Sequence, residues 1–208
     1  MTTTRVLVLY YSRTGAVGEL ARHVARGVES AGAEAVVRTV PSLHESAEDG
    51  NAGPPHARPD DLRNCDALVL GSPTRFGNMA APLKHFLEGT SDIWLSGELV
   101  DKPAGVFTSS SSAHGGQEST LLTMVLPLVH HGMLWVGVPY TVGELFTTSD
   151  GGGPYGASHV EAEHRSGVGS QAALSDAEQR IAEALGRRVA GFALRLAASS
   201  GASSARGD

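Results

Sequence analysis

The chain has 208 residues, 41% of them hydrophobic, which suits one domain of generous size with a buried core. Lys and Arg number 16 against 22 Asp and Glu, a formal charge of −6, which argues against a nucleic-acid surface and against a strongly acidic electron shuttle. Cys65 stands alone, so no internal disulfide forms; no apolar run reaches the roughly 18 residues of a membrane span, and Met1-Thr2-Thr3-Thr4-Arg5 lacks the marks of a signal peptide, so a cytoplasmic protein is expected.

Val6-Leu7-Val8-Leu9-Tyr10-Tyr11 reads as a strand buried on both faces, as in a parallel sheet. The connection Ser12-Arg13-Thr14-Gly15-Ala16-Val17 follows. It sets two hydroxyls and a glycine where a helix exposes its first amides, an anion site suited to a phosphate monoester. It is neither a Gly-Lys-Ser/Thr phosphate loop nor a G-x-G-x-x-G fingerprint, which argues against an NTPase and a Rossmann dehydrogenase. A helix then carries Val17, Leu20, Ala21, Val24, Val28 and Ala31 on one face and stops at Gly32. Ala35 to Val40 is a second strand, and residues 41–59 read as a surface loop.

Cys65, beside Asp66, is expected to pack rather than react. Ala67 to Gly71 is a third strand, leading into Gly71-Ser72-Pro73-Thr74-Arg75-Phe76-Gly77-Asn78-Met79. This connection offers a hydroxyl, a guanidinium, a carboxamide, an aromatic ring and free amides, an inventory for a flat heteroaromatic ligand with a polar edge. A helix over 80–87 follows, then a segment to Lys102 that carries Trp94. Ala104 to Thr108 is a fourth strand. Its exit, Thr108-Ser109-Ser110-Ser111-Ser112-Ala113-His114-Gly115-Gly116-Gln117, is small enough to let a planar ring approach the backbone, or is a flexible linker.

Leu121, Leu122, Val125, Leu128 and Val129 mark a helix that Pro127 kinks or ends. Met133 to Val138 is a fifth strand, and residues 139–170 form a long Gly-rich segment containing Tyr155. Ser175-Asp176-Ala177-Glu178 is a capping box opening a last helix with Ile181, Leu185, Val189, Phe192 and Leu196 on one stripe. The β–α alternation predicts a doubly wound α/β fold, a flavodoxin-like five-stranded parallel sheet of order 2-1-3-4-5. Residues 1–198 form one domain in this reading, with 199–208 a disordered Ala/Ser/Gly tail. Three polar connections then share one rim of the sheet.

The words Val8-Leu9-Tyr10-Tyr11-Ser12, Gly71 to Met79, Phe107-Thr108-Ser109, His114-Gly115-Gly116-Gln117-Glu118, His130-His131-Gly132-Met133 and Gly153-Pro154-Tyr155-Gly156-Ala157 resemble the WrbA family of FMN-binding NAD(P)H:quinone oxidoreductases, in that family's order. The resemblance implies that Ser12, Arg13, Thr14, Gly15, Ala16 and Val17 hold the FMN phosphate. It implies that Pro73, Thr74, Arg75, Phe76, Gly77 and Asn78 flank the isoalloxazine from one side. Ser109, Ser110, Ser111, Ser112, Ala113, His114 and Gly115 flank it from the other. His131 resembles the family histidine near the ring's pyrimidine edge, where it would stabilise charge on reduced flavin or assist quinone protonation. Trp94 resembles the tryptophan that helps wall the substrate space, and the resemblance implies a tetramer built as a dimer of dimers in which a neighbouring subunit can supply it.

Two positions depart from the family pattern. Thr14 stands where members often carry an aromatic residue that helps seat the nicotinamide cofactor. Val160 to Ser166 replaces a Gly-Gly-Asp-Gly-Ser-Arg-like segment. The implied activity is ping-pong transfer of a hydride from NADH or NADPH through flavin to a quinone. A flavodoxin-like electron carrier and a pathway-specific FMN-dependent reductase are the alternatives. The adjacent His130 and His131 do not share a metal easily, no cluster has zinc spacing, and no G-x-S-x-G elbow is present.

Overall fold

Alternating side chains of the first strand divide between two cores. In the computed structural model, which describes residues 3–43, 53–161 and 173–204, β1 (Arg5–Tyr10) sends Val6, Val8 and Tyr10 to one face and Leu7 and Leu9 to the other. Helices cover both faces. α1 (Ala16–Ser30) and α7 (Asp176–Ser204) close the first core with Val17, Leu20, Val24, Ile181, Leu185 and Val189. α3 (Ala81–Glu88) and α5 (Gln117–His130) close the second with Leu83, Leu121, Met124 and Leu128. This double cover explains why β3 (Ala67–Pro73) and β4 (Pro103–Ser110) are buried at every position.

The sheet runs β2 (Glu34–Thr39), β1, β3, β4, β5 (Leu134–Trp135), with each pair parallel, the expected doubly wound order. Short helices α2 (Pro59–Arg63), α4 (Ser91–Leu95) and α6 (Glu144–Thr147) lie in connections where the sequence pattern predicts no element. Pro127 lies in the last turn of α5, near its end.

The fifth position differs from a continuous strand over 133–138. Only Leu134 and Trp135 pair with β4, at Pro103 and Ala104. The chain then peels away, and the Val138 N–H donates to Pro154 O at 2.9 Å. It returns as β6 (Ala157–Val160), which pairs Phe107 to Ser110 of β4 in parallel. Gly156 permits the return, since a Cβ there would stand 2.1 Å from Val106 O. Trp135 stacks on Tyr155 with ring centroids 6.4 Å apart, tying the point of departure to the point of return.

Two contacts fix the rest of the frame. α1 and α7 touch backbone to backbone: a Cβ on Gly27 would meet Glu183 O at 2.1 Å, and one on Gly186 would meet Val24 O at 2.0 Å. At the head of α7 the capping box forms as its sequence predicts. The Ser175 N–H donates to Glu178 Oε2 at 2.8 Å, and the Glu178 N–H donates to Ser175 Oγ at 3.3 Å. Glu178 is 1% exposed and accepts three further bonds, from the N–H groups of Gly151 and Val160 and from His159.

Candidate functional site: the rim above β1, β3 and β4

Parallel strands point their carboxyl ends the same way, so the exits of β1, β3 and β4 meet at one rim. At the first exit Gly15 is the N-cap of α1 with φ 97°, a left-handed conformation that glycine adopts without strain. Its N–H donates to Ser12 Oγ at 3.1 Å, and no side chain caps the helix. The first amides of α1 are therefore left for another partner. Arg13, Thr14 and Gly15 are exposed, Ser12 is half-buried, and Ala16 and Val17 are buried beneath the turn. Thr14 Oγ1 donates to Glu161 Oε1 at 2.9 Å, a link from this turn to the end of β6 that the sequence did not reveal.

The second exit is a two-residue hairpin. The Arg75 N–H donates to Asn78 O at 2.7 Å and the Asn78 N–H returns to Arg75 O at 3.1 Å. Phe76 (φ 53°) and Gly77 (φ 75°) occupy its centre, the positive-φ pair of a type I′ turn. Phe76 is a non-glycine residue held in that region, and its side chain is fully solvent-exposed at the tip. Pro73 is buried at the end of β3. The Thr74 N–H donates to Ser109 O at 2.8 Å, and the Thr74 and Thr120 hydroxyls are bonded at 2.7 Å, so the second and third exits form one unit.

The third exit repeats the form of the first. Gly116 is the N-cap of α5 with φ 102°, and again no side chain caps the helix. Ser109 and Ser110 are buried, and Ser111, Ser112, Ala113, His114 and Gly115 are exposed. Ser110 Oγ and Gln117 Nε2 both donate to Ser112 O, at 2.8 and 3.1 Å. Gln117 Oε1 is buried and has no hydrogen-bond partner. Gln117 is a site residue that the sequence motifs do not single out; its signal is a long polar side chain opening an apolar helix.

These turns meet the requirements of FMN. Two uncapped helix starts offer amides and positive dipole ends to a phosphate and to ring oxygens. The orphaned Gln117 acceptor matches a hydroxyl or ring N–H donor. Small residues at 109–113 and Gly115 leave the backbone open to a flat ring.

His131 and Trp94 are not at this rim within one chain. His131 caps the far end of α5, three residues before Leu134, which pairs the first residue of β4. Both therefore stand at the amino rim. There Trp94 Nε1 donates to His130 O at 2.8 Å, and both rings line a cavity of about 470 Å³ with Lys84, Thr90 and Leu126. Thr90 Oγ1 donates to Leu87 O at 2.7 Å, so its 3.1 Å contact with His131 Nε2 has the ring donating. His131 Nδ1 is then the acceptor nitrogen of a neutral ring, and it is buried without a partner. Burial and the neighbouring His130 lower the His131 pKa from its ordinary value, which favours that neutral form. Cys65 is buried and donates to Leu62 O at 3.2 Å; burial pushes its thiol up to about 11, so it packs and does not react.

Comparison with known proteins decides the family. Residues 4–146 match the NADPH-dependent FMN reductase family. The chain belongs to that family. It is 43% identical over 202 residues to an NAD(P)H dehydrogenase (quinone) of Rhizobium rhizogenes, spanning 93% of this chain and 99% of the relative. It is 40% identical over 205 residues to one from Gluconacetobacter diazotrophicus, spanning 94% and 100%. A WrbA-like flavodoxin from Agrobacterium tumefaciens has the same architecture, with a TM-score of 0.67, 26% identity and 93% and 99% of the two chains covered. The flavodoxin-like fold and the WrbA resemblance read from the sequence are borne out. No helix among the described residues is long and apolar enough to cross a membrane.

Proposed function

We propose that this chain is an FMN-dependent NAD(P)H:quinone oxidoreductase of two-electron, ping-pong type. The observation that carries the reading is the pair of uncapped helices, α1 and α5, whose glycine N-caps lie at one rim of the sheet, the second next to the orphaned Gln117 acceptor. When bound, FMN supplies the two-electron exchange between the nicotinamide nucleotide and the quinone.

The protein's part is binding and orientation. Ser12 and the amides of Thr14, Ala16 and Val17 hold the phosphate, with Gly15 supplying the left-handed turn that aims them. The hairpin from Pro73 to Asn78 and the turn from Ser109 to Gly115 wall the ring, held at a fixed spacing by the Thr74–Ser109 and Thr74–Thr120 bonds. Gln117 accepts from the group's polar edge.

His131 and Trp94 serve a cleft through another copy of the chain. Each copy carries the three turns at one rim and the histidine–tryptophan cavity at the other, so a rim of one copy completes the site of its neighbour. Exposed apolar residues on α4 and α5 (Trp94, Leu95, Leu122, Leu126 and Val129) supply the area such an assembly buries. His131 lines that cavity as a neutral ring and, in this reading, stabilises charge on the reduced flavin or assists quinone protonation. The reading includes a homotetramer in the cytoplasm.

Anaerobic stopped-flow reduction of holoprotein by NADH and NADPH, then reoxidation by benzoquinone, tests it. Parallel initial-rate lines are expected, and a protein that stays colourless when soaked with FMN would end the reading. Elution as a monomer at micromolar concentration would refute the shared site.

A further inference from the structure

A carboxylate stands against the first turn, where the phosphate of FMN is to sit. Thr14 Oγ1 donates to Glu161 Oε1 at 2.9 Å, across 147 positions of sequence. Glu161 directly follows β6, and its own N–H donates to Ser110 O at 2.7 Å, which pins its backbone to the end of β4. The half-buried side chain therefore runs from the third exit to the first, and its carboxylate ends on the turn that opens an uncapped helix. Thr14 and Val160 to Ser166 are the two places where the sequence departs from the family pattern, and the fold sets Thr14 against Glu161 of the second.

Two acceptors then compete for one donor. The Thr14 hydroxyl has a single O–H, which cannot serve the Glu161 carboxylate and a phosphate oxygen together. A phosphate on the amides of Thr14, Ala16 and Val17 is also a close neighbour of the carboxylate. Like charges at such separations repel, more strongly at a partly covered protein surface than in bulk water, and a phosphate approaching two charges roughly doubles the effect. The helix dipole favours any anion alike, as does Arg13 in the same turn, so neither removes the competition. Anchored at Ser110, the side chain can swing off Thr14 but stays at the rim. Riboflavin has the same ring and ribityl chain without the phosphate, and it meets no such opposition.

We propose that Glu161 is a specificity-determining residue of the flavin site: by holding Thr14 and opposing the phosphate, it narrows the preference for FMN over riboflavin and eases the release of FMN. The proposal rests on the FMN-dependent reading above, since it concerns the same first turn. The carboxylate yields the Thr14 hydroxyl when a phosphate arrives and takes it back when the phosphate leaves. The contact between the two departures is thereby a setting of affinity, and the amides beneath it supply the grip.

Fluorescence titration of the full chain, freed of flavin, with FMN and with riboflavin tests this without turnover. E161Q keeps an acceptor for Thr14 and removes the charge, while E161A removes both. We expect each to tighten FMN at least about threefold and to leave riboflavin binding unchanged, with slower FMN release by stopped flow. In a T14V background E161Q should lose most of that gain, because the two residues act as a pair. An unchanged ratio of the two affinities would overturn the proposal, as would equal tightening of both flavins. Weaker binding of both flavins by E161A, with E161Q like the unaltered protein, would make the contact a structural brace and overturn it too. A full gain in T14V would mark a charge acting without Thr14 and would overturn the role given to the contact. FMN uptake and benzoquinone reduction by the unaltered protein would show that the underlying reading survives any of these results. Failure to bind FMN ends both.

Discussion

Glu178→Gln should be costly although it changes one oxygen to an amide nitrogen. The wild-type carboxylate is buried and accepts from Gly151 N at 2.9 Å, Val160 N at 3.1 Å, Ser175 N at 2.8 Å and His159 Nδ1 at 2.9 Å. A glutamine keeps one acceptor oxygen. If that oxygen serves Gly151 and Val160, the amide must donate to His159 in its other tautomer, and the Ser175 N–H is orphaned. An orphaned buried donor costs about 1–3 kcal/mol, and weakening each of the remaining charge-assisted bonds to a neutral one costs about 1 kcal/mol more. The expected loss is about 4–6 kcal/mol, a large fraction of the roughly 5–15 kcal/mol of a typical fold. Urea titration followed by tryptophan fluorescence measures it, and Tm should fall by at least about 8 °C. Burial alone would raise the Glu178 pKa, but the bonds from His159, Ser175 and Gly151 outweigh it and hold the group below its ordinary 4.5. Its contribution is therefore present above the ordinary carboxylate pKa and lost as pH falls through the depressed one. The variant should lack that acid-sensitive component. A loss below about 1 kcal/mol would refute the argument that this carboxylate holds β6 and the 151 turn to α7.

Gly186→Ala should cost about 1–3 kcal/mol or more, because the added methyl would overlap Val24 O; chemical denaturation checks it, and an unchanged midpoint would show that α1 and α7 part easily. Gly15→Val should weaken FMN binding at least about tenfold, since a β-branched residue resists φ 97°; quenching of FMN fluorescence on titration reads it directly. His131 should titrate below its ordinary 6.5 by NMR, because burial and His130 lower its pKa. Stability should then be full above that value and fall as pH drops towards the depressed one, and H131N should flatten this dependence.

The sheet order was legible because the strands are short apolar runs separated by strong stop signals such as Gly32. The capping box at Ser175 and the late Pro127 were legible for the same reason: each is a local rule with a local outcome. The split fifth position was not. Ala157-Ser158-His159-Val160 sits in a Gly-rich stretch, and its strand character comes from pairing with Phe107 to Ser110, about 50 residues away in sequence. Polar turns at the rim were readable as residue types, but the Thr14–Glu161 link and the orphaned Gln117 oxygen depend on where the backbone goes. His131 shows the sharpest limit. Its sequence word carries the family resemblance, yet the helix that bears it ends at the far rim, so kinship of sequence did not disclose distance within the chain.

Sharing one edge of β4 between two separate partners has a practical meaning. The stretch that leaves after Trp135 and returns at Ala157 can lengthen, shorten or change character without sliding either short strand along its neighbour. The sheet thereby gains a socket: interchangeable decoration plugs in at the border, while the spacing of the turns that face a ligand is inherited unchanged from the strands beneath.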